Sequence, residues 1–204
     1  MFFRRRGKRK SPTAETIADA RDMLDSEVAA GFDPPEEIIT SILECYEHEA
    51  DPAALRPHLE THLHDALAAH RAAQASWPET TDCDRLDAAF AELESRGILA
   101  RQNYWCCGTC GCAAIDEEMS EAGPQARGYT FYHEQDTESA VEGHGLYLNY
   151  GAADHEAGPE AAVEIGEEIR GTLEHHGLQV DWDGTVEKRI GVALDWKRRA
   201  PQPG

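Results

Sequence analysis

A chain of 204 residues, 41% of them hydrophobic, is long enough to bury a core as one large domain or as two small ones. No apolar run approaches the ~20 residues that cross a bilayer, and acidic residues follow the basic start, so we expect neither a membrane span nor a signal peptide. The net charge is −20, and ten basic residues between Ser11 and Trp196 face 39 acidic ones. This charge argues against nucleic acid as a partner of the folded body. Because no signal peptide is predicted, we expect a cytoplasmic protein. Because the folded body is acidic, we expect basic protein partners or small ligands.

The first half of the sequence predicts helices. Residues 1–12 are predicted to be a basic, disordered tail and residues 13–76 a helical region. Gly31 is placed to end a first helix, and Asp33 with Glu36 is predicted to form a capping box for a second. The third helix is predicted to begin near Asp51-Pro52, although Pro57 must bend it or delay its start. Its buried face carries a leucine every four residues, at Leu55, Leu59, Leu63 and Leu67.

The second half of the sequence changes from helical to strand periodicity. Thr81 and Asp84 predict a capping box for a fourth helix that Gly97 ends, and an extended segment is predicted over 98–105. The stretches "GYTFYH" and "GLYLNY" alternate as strands do, and Asp183-Gly184 predicts a two-residue hairpin turn. Helices are predicted over 136–141 and from Pro159. The expected fold class is α+β: an N-terminal helical region, then over residues 81–197 a mainly antiparallel sheet packed with helices, and a tail over 198–204.

The stretch "NYWCCGTCGC" is the sharpest candidate site, because it places four cysteines within seven positions. Cys107-Gly-Thr-Cys110 has the spacing of a zinc knuckle, in which two thiolates and a glycine turn bind one side of the ion. A complete shell needs further ligands, which Cys106, Cys112, His133 or His144 would have to supply, and we expect Cys112 and His133 to do so. Adjacent Cys106 and Cys107 are expected to point in different directions. The predicted metal ligands for zinc are therefore Cys107, Cys110, Cys112 and His133.

The same cysteines also permit a redox hypothesis. If a helix begins near Cys110, the Cys107 sulfur lies at its positive end, the pKa of this thiol falls, and a thiolate nucleophile forms. The layout is similar to that of thioredoxin-like sites, but the neighbouring segments do not predict the βαβ arrangement that such sites occupy. The remaining alternative is a tight glycine-containing turn whose thiols simply pack beneath it.

The stretch "FYHEQDTESA" is the second candidate. His133 falls at the end of a predicted strand, and Asp136 or Thr137 is predicted to cap the helix that follows. A histidine and a carboxylate in this position can serve as acid and base, and capping alone also explains the aspartate. If the strand from Ile98 pairs beside this one, His133 and Cys107 lie at one end of the sheet. For an enzyme, the predicted catalytic residues are Cys107, Cys110, His133 and Asp136.

Several of these stretches resemble a bacterial family that is described only as a domain of unknown function. The stretches are "TDCDRLDAAFAELESRGILARQNYWCCGTCG", "GYTFYHEQDTESA", "GLYLNYGA" and "GLQVDWDGTVEKRI". The resemblance covers residues 81–196, and the first eighty residues are similar only in being helical. It implies no activity and no catalytic residue. It does imply that residues 106–110 and 133–138 belong to the family pattern.

Three functional hypotheses follow from the sequence. The first is a non-enzymatic protein that binds a partner or small ligand through its α+β domain, with an acidic surface that favours basic partners. The second is a metal site, with zinc as the ion, and the third is a thiol oxidoreductase that uses Cys107 and Cys110. The sequence leaves catalysis undecided and leans towards the non-enzymatic role.

Overall fold

The structure is a computed structural model that describes residues 10–154 and 157–199. The chain divides into two compact units, the first ending at Trp77 and the second running from Pro78 to Arg198; Arg199 groups with the first. Within the described ranges, every helix is too short or too polar to cross a lipid bilayer. The N-terminal helices precede the sheet along the chain, and the predicted α+β class is confirmed.

In the part of the first unit that the structure describes, three helices pack against one another: α1 (Ala14–Ala30), α2 (Pro35–Cys45) and α3 (Pro52–Gln74). The predicted end of α1 is confirmed, because Gly31 adopts a left-handed conformation and its N–H donates to the carbonyl of Glu27. Aliphatic side chains from all three helices form the core, among them Leu24, Ile38, Ile39, Ile42, Leu55, Leu59 and Leu63. Burial of these residues drives the unit to fold.

Two predicted helix starts in this unit need correction. The capping box of Asp33 and Glu36 is wrong, because Pro34 is the N-cap and α2 begins at Pro35. A residue before proline is held in extended conformations, so Pro34 cannot be the first helical residue. The delayed start of α3 is also wrong: Asp51 caps the helix, which runs straight through Pro57.

The second unit contains a five-stranded sheet with the strand order β1-β2-β3-β5-β4. Strands β1 and β2 are parallel and the three other pairs are antiparallel, as predicted for a mainly antiparallel sheet. Four helices accompany the strands. The elements are α4 (Asp82–Ser95), β1 (Ile98–Arg101), α5 (Gly108–Ala122), β2 (Gly128–Phe131), α6 (Glu134–Val141), β3 (Leu146–Ala152), α7 (Pro159–His175), β4 (Gln179–Asp181) and β5 (Ile190–Ala193).

Helices pack on both faces of this sheet. A β-carbon at Gly111 of α5 would lie 2.5 Å from Phe131, and one at Gly128 would lie 2.8 Å from Ile165 of α7. Since Phe131 and Gly128 lie three residues apart on β2, their side chains point to opposite faces, and α5 and α7 cover opposite sides. The core between these layers includes Leu86, Leu93, Ile98, Ile115, Leu146, Leu148, Ile169, Leu173, Ile190 and Val192.

The second unit confirms one predicted turn signal and corrects another. The capping box of Thr81 and Asp84 is present, with reciprocal hydrogen bonds of 2.8 and 3.2 Å. The two-residue hairpin at Asp183-Gly184 is wrong, because eight residues separate β4 from β5. The Asp183 carboxylate accepts the N–H of Thr185 at 3.1 Å, so the aspartate closes a local turn by itself rather than joining two strands.

Candidate metal centre

The two candidate stretches of the sequence follow neighbouring parallel strands. Strand β1 pairs with β2 in parallel register, so that Arg101 lies opposite Phe131, and α5 connects the two strands. The carboxyl ends of parallel strands meet at one edge of the sheet, and the residues that follow them therefore come together there. The predicted pairing is confirmed. The expectation that no βαβ arrangement surrounds the cysteines is wrong, because β1, α5 and β2 form one.

The chain turns sharply after β1. The predicted extended segment over 98–105 is confirmed over Ile98–Arg101 but wrong beyond it, since Asn103 and Trp105 have positive φ angles of 48° and 61°. Such angles are unfavourable for residues with a β-carbon and persist where surrounding contacts hold them. One of these contacts is the hydroxyl of Thr137 on α6, which donates to the side-chain carbonyl of Asn103 at 2.7 Å.

Backbone hydrogen bonds attach this turn to the start of α6. The N–H of Tyr104 donates to the carbonyl of Tyr132 at 2.8 Å, and the N–H of Glu134 donates to the carbonyl of Trp105 at 3.1 Å. The turn therefore lies against the segment that carries the histidine. The indole of Trp105 itself remains 54% exposed.

Three cysteine sulfurs converge at the end of this turn. The Sγ atoms of Cys106, Cys107 and Cys110 all lie within 4.8 Å of one another. Cys107 is the N-cap of α5, and Cys110 lies in the first turn of this helix. The expectation that adjacent cysteines point apart is wrong here. It holds for a strand, where successive side chains alternate, whereas these two residues occupy a bend between the left-handed Trp105 and the helix.

Hydrogen bonds give the thiols different proton affinities. The backbone N–H of Cys110, and then its thiol, donate to the sulfur of Cys107 and lower the pKa of Cys107. The thiol of Cys110 donates to the sulfurs of Cys106 and Cys107, which raises the pKa of Cys110 to about 11. The amino end of α5 adds partial positive charge beside Cys107. The cluster therefore favours negative charge on Cys107 and a proton on Cys110.

The prediction that Asp136 caps α6 is confirmed in part, because Asp136 closes a reciprocal capping box, but the N-cap residue is neither Asp136 nor Thr137 but His133. Its Nδ1 accepts the N–H of Asp136 at 3.3 Å, and the carboxylate of Asp136 accepts the N–H of His133 at 3.2 Å. Its Nε2 lies 3.1 Å from the same carboxylate. Burial lowers the pKa of His133, so we infer the neutral tautomer with the proton on Nε2.

An ion pair between the buried Asp136 and the partly exposed Arg189 holds this capping arrangement in place. The guanidinium of Arg189 lies 2.5 Å from the Asp136 carboxylate, which is buried, and it also donates to the carbonyl of Tyr147. Both ring nitrogens of His133 are thus occupied within the start of α6. The imidazole has no nitrogen to spare for a ligand or substrate unless the cap opens.

The structure brings together part of the predicted site. Cys107 and Cys110 lie in the group of sulfurs, whereas Cys112 and His133, also predicted as zinc ligands, lie outside it. His133 is nevertheless close, since a β-carbon at Gly108 would lie 3.6 Å from its Nε2. Cys112 is about 200° further around the helix than Cys110 and is therefore directed elsewhere.

Sequence reasoning considered Cys106 as a further ligand but left it out of the predicted set. Its signal was present in the doubled cysteine itself, since Cys106 and Cys110 are four positions apart. Side chains four positions apart lie close together within a helix, and here they also do so in the bend that leads into one. A bend was not predicted at Trp105, because nothing in the residue types there favours positive φ.

The fold and the sulfur cluster together define an α+β domain with a three-cysteine group at the start of a βαβ crossover helix. The chain belongs to the family described as Domain of unknown function (DUF6891), whose model matches residues 13–200. The match reaches beyond the resemblance of residues 81–196 and includes all three helices of the first unit. No curated protein and no solved structure is similar enough to this chain to count as a match.

Proposed function

We propose that this protein is a non-enzymatic binding module whose ligand is a thiophilic metal ion, with zinc as the ion. The ligands are the thiolates of Cys106, Cys107 and Cys110. The observation that supports the proposal is the mutual separation of their sulfurs, all within 4.8 Å. A zinc–sulfur bond of about 2.3 Å and tetrahedral angles place thiolates about 3.8 Å apart, so the sulfurs need to move by only about 1 Å.

The donor set and its electrostatics agree with this class of ion. Thiolates are soft ligands that select zinc and copper(I) over magnesium or calcium. The lowered pKa of Cys107 and the amino end of α5 support the charged form that binds a metal. Cys110, whose pKa is raised to about 11, releases its proton when the ion replaces the hydrogen bonds to its neighbours.

Elemental analysis of protein purified under reducing conditions without chelator tests the proposal. We expect about one zinc per chain for the unchanged protein, because structural thiolate sites hold their ion through purification. Cys110→Ser is expected to lose the metal. Cys112→Ser is the matched control, since this cysteine lies on the same helix outside the sulfur group, and it is expected to keep the metal. Less than about 0.2 equivalents in the unchanged protein would contradict the proposal.

A second candidate function is dithiol exchange, which the opposite pKa shifts of Cys107 and Cys110 favour. The thiolate of Cys107 would attack a substrate disulfide, form a mixed disulfide and release one substrate thiolate. Cys110 would then lose its proton and attack the Cys107 sulfur, which releases the second substrate thiolate. The products are a Cys107–Cys110 disulfide and a reduced substrate.

The pH dependence of alkylation distinguishes the redox candidate. With metal removed, peptide mapping of iodoacetamide-treated protein reports the rate at Cys107, and we expect its midpoint to lie below that of an unperturbed cysteine. Cys112 is an internal control, because burial raises the pKa of its thiol. A midpoint at Cys107 equal to that at Cys112 would remove the basis for this candidate.

The acidic charge of the chain bears on the class of partner that the module binds. The excess of acidic residues between residues 11 and 196 favours basic proteins over nucleic acids as partners. A basic partner, like the cytoplasmic location, remains a prediction from composition.

A further inference from the structure

We propose that the metal ion bound by these three thiolates keeps one coordination position open to solvent. This inference rests on the proposed metal site and adds the ligand class: water fills the fourth position, and a neutral nitrogen donor such as an imidazole replaces it. Structural zinc sites are closed by four protein ligands, whereas sites with three protein ligands exchange the fourth. The protein would therefore present a metal ion that can take up an external ligand.

The first support is the lack of a fourth donor in place. Among the residues that the structure describes, Cys106, Cys107 and Cys110 are the one group of three or more candidate ligand atoms within 4.8 Å of one another. Both nitrogens of His133 are held by Asp136. Recruiting this imidazole would remove the cap of α6, which destabilises the helix start.

Cys112 does not complete the shell either. Two positions along a helix correspond to about 200°, so its side chain leaves α5 on the side away from Cys110. The thiols of Cys110 and Cys112 therefore belong to separate environments on one helix.

The second support is exposure on the outer side of the cluster. Cys106 is exposed, Cys107 and Cys110 are partly exposed, and the preceding Trp105 is 54% exposed. An ion bound by these sulfurs would lie at the surface, where water reaches it directly. A small external ligand needs no opening of the fold to reach the same position.

Charge selects the class of this fourth ligand. Three thiolates and a divalent ion carry one net negative charge, and the chain as a whole carries −20. A fourth anionic donor would be repelled by both, while a neutral imidazole nitrogen adds no charge. Imidazole is also a preferred zinc ligand.

Cobalt(II) in place of zinc makes the fourth ligand visible. We expect Co²⁺ added to the reduced, metal-free full chain to give a thiolate-to-cobalt charge-transfer band and intense d–d bands of a tetrahedral site. Titration with imidazole is expected to shift the d–d bands saturably while the charge-transfer band persists, as one neutral ligand replaces water. Cys112→Ser is expected to give the same spectra and the same titration.

The outcomes separate the two proposals. A d–d spectrum that does not respond to imidazole would overturn the open position alone, and so would a Cys112→Ser spectrum showing that a thiolate had been lost. A cobalt form that is dimeric and insensitive to imidazole would likewise overturn it, because a second copy would then close the site. Failure of the unchanged protein to bind Co²⁺ would instead overturn the metal site itself.

Discussion

Asp136→Ala is expected to lower the free energy of unfolding of the second unit by about 2 kcal/mol, because it removes a buried carboxylate that pairs with Arg189 and accepts the N–H of His133. Asp136 is 5% exposed, and its carboxylate lies 2.5 Å from the guanidinium of Arg189. The side chain of Arg189 is 37% exposed, so water solvates the charge left behind and the expected loss is smaller than for a fully buried pair. The same change removes half of the reciprocal cap of α6.

Denaturant unfolding followed by tryptophan fluorescence measures this loss, since three of the four tryptophans, Trp105, Trp182 and Trp196, lie in the second unit. Glu138→Ala is the matched control. It removes an exposed carboxylate from the same helix and is expected to change the free energy of unfolding by less than about 0.5 kcal/mol.

A double-mutant cycle with Arg189→Ala isolates the ion pair. The double variant is expected to be more stable than the sum of the two single losses predicts, by about 1 kcal/mol or more, because each single variant leaves one unpaired group behind. Additive losses would show that the pair contributes nothing beyond packing, and a loss below about 1 kcal/mol for Asp136→Ala would contradict the prediction outright.

The helices were predictable because their signals are local. Hydrophobic periodicity located α3 through its leucines, and the reciprocal bonds of Thr81 and Asp84 depend only on residues three apart. The errors at α2 and at Asp183-Gly184 are also local. In both cases two turn-forming signals compete. At α2 the restriction on the residue before a proline decides, and at Asp183 the hydrogen bond of the aspartate side chain decides.

The candidate site was predictable only in part, because its geometry depends on tertiary contacts. Cys107 and His133 lie at one end of the sheet because β1 and β2 pair in parallel. Alternating sequence patterns indicate strands but do not specify how the strands pair. The left-handed turn at Trp105 is held by bonds to α6 and has no signature in the residues themselves. The spacing of Cys106 and Cys110 is therefore visible in the sequence, but the bend that brings their side chains together is not.

The two candidate stretches carry different physical roles in one place. The cysteines supply donor atoms at the start of α5, whereas His133, Asp136 and Arg189 form a satisfied polar network at the start of α6. Backbone bonds from the Trp105 turn to α6 connect the two. The hydrogen-bonded start of α6 lies beside the partly exposed thiols. For the proposed metal site, such a support would hold the ligands in position while their outer side stays open to solvent.

Gly111→Ala is expected to destabilise the second unit by about 1 to 2 kcal/mol and to weaken metal binding. A β-carbon at this position would lie 2.5 Å from Cε2 of Phe131, whose ring is completely buried and cannot yield without disturbing the core. Overpacking of this kind costs about 1 to 3 kcal/mol, and the higher helix propensity of alanine offsets up to about 1 kcal/mol of it. The helix must move away from the sheet, and Cys110 moves with it.

Gly171→Ala makes the same substitution where nothing opposes it. Gly171 lies within α7, is exposed, and a β-carbon there meets no atom within 4 Å, so we expect stabilisation by about 0.5 to 1 kcal/mol. Opposite signs for the two variants, measured by denaturant unfolding, would show that contact with Phe131 and not helix propensity decides the result at Gly111. Equal stabilisation by the two substitutions would mean that α5 does not pack closely against Phe131 of β2. In that case the zinc content of both variants, measured in parallel, would be unchanged.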